Sequence, residues 1–170
     1  SLVWPAARSE SVPTGDQVPP VYRWLAEQIA VPILELPMAF SPGGPQLEYQ
    51  YNSTYHWHTT PDGYSGFIPP KHGQIAYEME RFPSERSLSL LQTLEVRYVV
   101  IHTDRYPSTR WNEIEDTLAG VSDLVLVEHF GPDRVYAVRS HPAGPSDLHV
   151  RGYFPTYAVA NQPFTAYVIA

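Results

Sequence analysis

The chain has no cysteine. That excludes disulfides, thiol nucleophiles and cysteine-ligated zinc. Lysine is nearly missing: Lys71 stands alone against ten arginines, which favours planar, fixed cationic contacts. Positive charge as a whole is in deficit. The net charge of −7 provides no general attraction to a phosphate backbone and argues against nucleic acid as the partner. No stretch approaches the ~20 apolar residues of a bilayer-crossing helix, and no signal peptide is visible. There is no G-x-G-x-x-G after a strand, no Walker loop and no G-x-S-x-G elbow. Gly43-Gly44 lies between Pro42 and Pro45, so it cannot open a phosphate-cradling helix. Internal repeats and low-complexity tracts are also missing.

What is present is a globular composition. Hydrophobic residues make up 43% of the 170, which excludes wholesale disorder and allows one domain, or one domain plus a fragment of another. The 18 prolines are about twice the usual ~5% share and imply many turns. The chain opens on Ser1 rather than Met and closes on an apolar, strand-like run at 164–170. We expect a piece of a longer polypeptide.

Residues 1–18 are polar and punctuated by Pro, Gly and Ser, and read as a linker or arm. Pro19-Pro20 opens a helix with Val21, Leu25 and Ile29 as its apolar stripe. Residues 31–36 form a short strand stopped by Pro37. Ser84 caps a second helix with Leu88, Leu91 and Leu94 on one face. The β-branched run at 96–102 reads as a strand covered on both faces. Ser108 or Thr109 caps a third helix, with Trp111, Ile114 and Leu118 inward and Gly120 at its end. Residues 124–128 are the next buried strand, joined by Gly131-Pro132-Asp133 to a strand at 135–139. Strand–helix–strand alternation predicts a small, mostly parallel α/β sheet flanked by helices, with one antiparallel edge, over 19–140. Residues 141–147 read as a linker and 148–170 as the start of a β-rich unit.

Residues 38–83 do not fit that scaffold, because connections in compact domains usually have a handful of residues. The span concentrates aromatics: Phe40, Tyr49, Tyr51, Tyr55, Trp57, Tyr64, Phe67, Tyr77 and Phe82. Tyr49, Tyr51, Ser53, Tyr55 and Trp57 alternate with Gln50, Asn52, Thr54, His56 and His58, and period two predicts a strand with one aromatic face. Pro61-Asp62-Gly63 is turn chemistry, and Gly63 and Gly66 permit close approach. Aromatic faces beside hydroxyl and imidazole groups suit sugar rings. The same rings also suit a minor core that ties a long loop to the sheet.

Other chemistry is weighed against plainer roles. His56-x-His58 chelates a metal only if a third ligand such as His102 or Asp104 converges; otherwise the two are ordinary hydrogen-bonded histidines. The carboxyl ends of the strands offer Glu35, His102, Thr103, Asp104, Glu128 and His129, where an α/β crevice lies and acid–base work is done. Strand ends are also where polar side chains meet water. The Asn52-Ser53-Thr54 sequon lies inside the expected strand and is read as chance.

The segments VYRWLAEQ, ILELP, STYHWHTTPDGYSGFIPP and FPSERSLSLLQTLEVRYVVIHTD together resemble the soluble tail of bacterial multi-spanning GT-C-type glycosyltransferases that use polyprenyl-phosphate sugars. The resemblance covers about 19–140 and, more loosely, 148–170. Its most specific part is Tyr55-His56-Trp57 followed by Gly63-Tyr64-Ser65-Gly66-Phe67. It implies an extracytoplasmic α/β unit followed by a β-rich one, behind a membrane-embedded core. The family's catalytic acid lies between early transmembrane helices, so no catalytic residue carries over. His58 and the stretch from Thr59 to Asp62 depart from the family pattern.

These readings lead to one expectation and two alternatives. We expect a non-catalytic extracytoplasmic domain, needing no cofactor or metal. It would pack on the transmembrane part of its own polypeptide or help bind a glycan or polyprenyl-phosphate sugar through Tyr55, His56, Trp57, Tyr64 and Ser65. The alternatives are a stand-alone metal-dependent or acid–base hydrolase at the strand-end His/Asp/Glu cluster, and a structural interaction module.

Overall fold

The computed structural model describes residues 13–38, 44–61 and 70–139. The chain divides between Ser140 and His141, and the expected linker and β-rich start lie outside the described residues. So do residues 1–12 of the expected arm at 1–18 and two of the expected site residues, Tyr64 and Ser65.

Among the described residues four strands make one sheet: β1 (Ile33–Leu36), β2 (Tyr98–His102), β3 (Leu124–Phe130) and β4 (Asp133–Val138). Five α-helices among the described residues accompany them: α1 (Pro20–Ala26), α2 (Gln46–His56), α3 (Pro70–Met79), α4 (Glu85–Thr93) and α5 (Ser108–Leu118). The architecture is α/β, as expected, but the sheet is not mostly parallel. Its order is β1-β2-β4-β3. Only β1 and β2 pair in parallel; β4 runs antiparallel to both of its neighbours. The crossover through α5 does set β3 parallel to β2, but one strand away. The hairpin then folds β4 back into the gap.

This insertion also corrects the reading of 124–128 as a buried strand. As the edge, β3 leaves Val125, Leu126 and Val127 exposed, whereas β4, flanked on both sides, buries Val135, Tyr136 and Val138. A register shift between Leu126 and Glu128 interrupts the edge, a device that discourages further strand pairing.

The two faces of the sheet are filled from different helices. Leu34, Leu36, Val99, Ile101, Tyr136 and Val138 meet Ile75, Met79, Leu91, Ile114 and Leu118 from α3, α4 and α5. Ile33, Val100 and Val135 meet Val21, Tyr22 and Leu25 of α1. With β1 and β2 covered on both sides, burial of about 1.5–3 kcal/mol per large apolar side chain makes this the cohesive centre of the unit.

Local signals account for the starts of α1 and α4. Pro20 starts α1 after Pro19. Ser84 caps α4, accepting the Ser87 amide at 3.3 Å. Neither Ser108 nor Thr109 caps α5, because the helix begins at Ser108 itself and the capping position is Pro107, which has no side-chain acceptor. Ile29 does not extend the α1 stripe. The helix ends at Ala26, and Ile29 is left 86% exposed.

The largest correction falls in the aromatic span. Residues 46–56 form helix α2, not a strand. The buried positions are Gln46, Tyr49, Asn52 and His56, spaced by three or four as a helix requires. Alternation grouped all the rings together, but the stripe that is buried is largely polar. A second helix, α3, also occupies the span, led by Pro70 and anchored by Ile75, Ala76 and Met79. Among the described residues no helix is long and apolar enough to cross a membrane.

Candidate functional site: a buried ionic cluster and an exposed tryptophan

Period two puts Ile33 and Glu35 of β1, Val100 and His102 of β2, and Asp133 and Val135 of β4 on the sheet face that α1 covers. The β2–β4 register sets His102 directly opposite Asp133. His102 Nδ1–H donates to Asp133 Oδ1 at 2.7 Å, and Nε2–H donates to Glu35 Oε2 at 3.2 Å. Glu35 Oε2 also accepts the Tyr22 hydroxyl from α1 at 2.7 Å. Glu35 is 1% exposed and His102 3%, so these two are shielded from bulk water, while Asp133 is partly exposed.

Helix α2 closes the cluster. The Tyr49 ring stacks over His102, centroids 5.0 Å apart. The Arg105 guanidinium lies 5.1 Å from the Tyr49 centroid and bonds Glu48 at 2.7 Å. Burial alone would lower the His102 pKa. The hydrogen bonds and charges of Asp133 and Glu35 outweigh that and hold it up at about 9. At neutral pH His102 is therefore an imidazolium, with both ring nitrogens donating to carboxylates. Burial raises the pKa of Tyr22, and the adjacent Glu35 reinforces the rise, so its hydroxyl stays protonated.

This arrangement ties β1, β2, β4 and α1 together. It is poorly suited to acid–base catalysis: a general base needs a free ring nitrogen within reach of substrate, and His102 has none. Of the strand-end residues read from the sequence, Glu35 and His102 come together. Asp104 is exposed in the turn Thr103–Arg105, and Glu128 and His129 are exposed on the edge strand. The sequence reading missed Asp133, Tyr22 and Tyr49. Asp133 had been assigned to the turn alone, and only the strand register reveals it as the partner of His102.

No family model, no curated protein and no solved structure matches the chain. The site is therefore read from its own geometry.

Tyr55, His56 and Trp57, adjacent in sequence, point three ways. Tyr55 is half-buried, its hydroxyl donating to Pro13 O at 2.7 Å and bonded to Tyr51 at 2.9 Å. His56 is buried against Tyr22, rings stacked at 5.9 Å, and burial lowers its pKa to about 4, keeping it neutral. Trp57 is 78% exposed. It ends α2 in the left-handed conformation, φ 56°, with its amide on Ser53 O at 2.9 Å. That conformation costs an L-residue roughly 1–2 kcal/mol, so the surrounding structure must enforce it.

His58 provides the enforcement. Its Nε2–H donates to Leu25 O at 2.9 Å and its Nδ1 accepts the Val31 amide at 3.0 Å. Its own amide donates to His56 Nδ1 at 3.1 Å, and the next residue, Thr59, accepts the Ile33 amide at 2.8 Å. Of the two roles weighed for His56-x-His58, the hydrogen-bonded one is seen, and His58 forms a backbone staple. Among the described residues no three His, Asp or Glu side chains form a metal-sized group. The staple joins the segment carrying Trp57 to the one carrying Ile29, the two most exposed large apolar side chains described.

Proposed function

We propose that this chain is a non-catalytic docking domain, the extracytoplasmic part of a glycosyltransferase-like membrane protein, and that Trp57 is its contact residue. The observation that carries the reading is an aromatic ring held out to solvent in a costly backbone conformation by a buried histidine. A ring that merely closed a loop onto the sheet would be covered. Trp57 presents a flat apolar face to solvent, suited to packing against the membrane-embedded part of the same polypeptide or stacking on a sugar of a glycan or polyprenyl-phosphate sugar. The resemblance of the Tyr55-His56-Trp57 segment to such proteins supports that choice of partner. The strand-end cluster serves here as scaffold of the sheet.

Since the chain has no cysteine, Trp57→Cys introduces a single thiol. That thiol should react with a maleimide in the isolated chain and be protected in membranes bearing the polypeptide together with its membrane core. Titration of the isolated chain with oligosaccharides and with polyprenyl phosphate, read by tryptophan fluorescence against Trp57→Phe, tests the sugar arm. Equal labelling in both settings, with no fluorescence response at millimolar ligand, overturns the proposal and leaves a structural module.

A further inference from the structure

The inner face of α2 holds two polar atoms that have no hydrogen-bond partner among the described residues: Asn52 Oδ1 and His56 Nε2. Asn52 is 1% exposed and His56 5%. Four residues apart on a helix, they share a face, with Cβ atoms about 5–6 Å apart. Their chemistries are complementary. His56 Nδ1 accepts the His58 amide, which puts the proton of the neutral ring on Nε2 and makes it a donor, while Asn52 Oδ1 is an acceptor.

Neighbouring hydroxyls are already engaged. Tyr22, stacked on His56, donates to Glu35; Tyr49 donates to Pro37 O; Ser53 donates to Gln50 O. Buried polar atoms in folded proteins are almost always paired, with ordered water where protein groups do not reach. The required occupant must accept from His56 and donate to Asn52. A carboxylate lacks the proton, and an ammonium lacks the lone pair. A hydroxyl has both and adds no charge beside the Glu35–His102–Asp133 group.

We infer that Asn52 and His56 form a two-point receptor for one hydroxyl group, carried by an internal water or by a small hydroxylated ligand. The site does not involve Trp57 and is independent of the docking role.

The test is side-chain NMR of the ¹⁵N-labelled chain, observing His56 Nε2–H. Magnetisation transfer from a long-lived water is measured first without additive, then during titration with glycerol and with methyl α-glucopyranoside. A water cross-peak that persists throughout assigns the hydroxyl to water. Its loss together with a saturable shift of Nε2–H assigns it to a ligand. Either result supports the receptor. No water cross-peak, with Nε2–H unmoved by both probes, overturns it. Asn52→Leu keeps the size but removes the acceptor, so it should abolish the cross-peak or the probe response while leaving the His102 signals in place. An undiminished signal in that variant overturns the pairing of the two residues.

Discussion

Titrating His102 changes the charge of the most deeply held cation in the unit. Its folded pKa of about 9 lies above the ordinary 6.5. At about 1.4 kcal/mol per tenfold difference in proton affinity, that rise corresponds to roughly 3 kcal/mol of stability linked to the proton. The sign follows from the direction. Below pH 6.5 both folded and unfolded chains hold the proton, and the full contribution is present. Between 6.5 and about 9 the unfolded chain releases it first, so stability falls as pH rises. Above 9 the buried Glu35 and the partly exposed Asp133 carboxylates face an uncharged ring. The expected result is a urea midpoint that drops steadily from pH 6.5 to 9.5, with an unchanged slope in denaturant. His102→Gln should be less stable at pH 6.5 and nearly flat across that window. A wild-type midpoint insensitive to pH between 6.5 and 9.5, or an NMR titration placing His102 below 7, would refute the reasoning.

Other consequences follow from the same geometry. Lowering the pH from 6.5 towards 4 should destabilise the chain through His56, because its folded pKa is depressed by burial to about 4 and the unfolded chain takes the proton first; thermal melts of wild type and His56→Phe compare the two acid limbs. His58→Ala strands the Leu25 carbonyl and the Val31 amide, an expected loss of about 2–3 kcal/mol by urea unfolding; a change below 0.5 kcal/mol would mean the staple is not structural. Trp57→Gly should relieve the left-handed conformation and stabilise the chain by roughly 1 kcal/mol while removing the docking face, so melting temperature and partner protection should move in opposite senses. Tyr22→Phe removes the neutral donor to buried Glu35 and should cost about 1–3 kcal/mol in denaturant.

The legible parts of the fold were those written in short-range chemistry. Ser84 capped its helix as its side chain allows. The β-branched run around Val99, Val100 and Ile101 became a strand covered on both faces, since only burial on two sides suits so many apolar residues in succession. Gly131-Pro132-Asp133 turned its hairpin. The span around Tyr49 misled because period two and period 3.6 both fit a few residues, and the helix buries Gln46, Asn52 and His56 with a single tyrosine, Tyr49. No hydrophobicity count finds a buried stripe made of polar groups.

By itself, then, the sequence determined the α/β class, the hairpin and the starts of α1 and α4, because these depend on neighbours a few positions apart. Tertiary structure alone decided that β4 enters between β2 and β3, that Asp133 faces His102, and that His58 pins Trp57 outward. Each of these joins residues distant in the chain, and their energies come from burial and charge pairing that exist only once the sheet has closed.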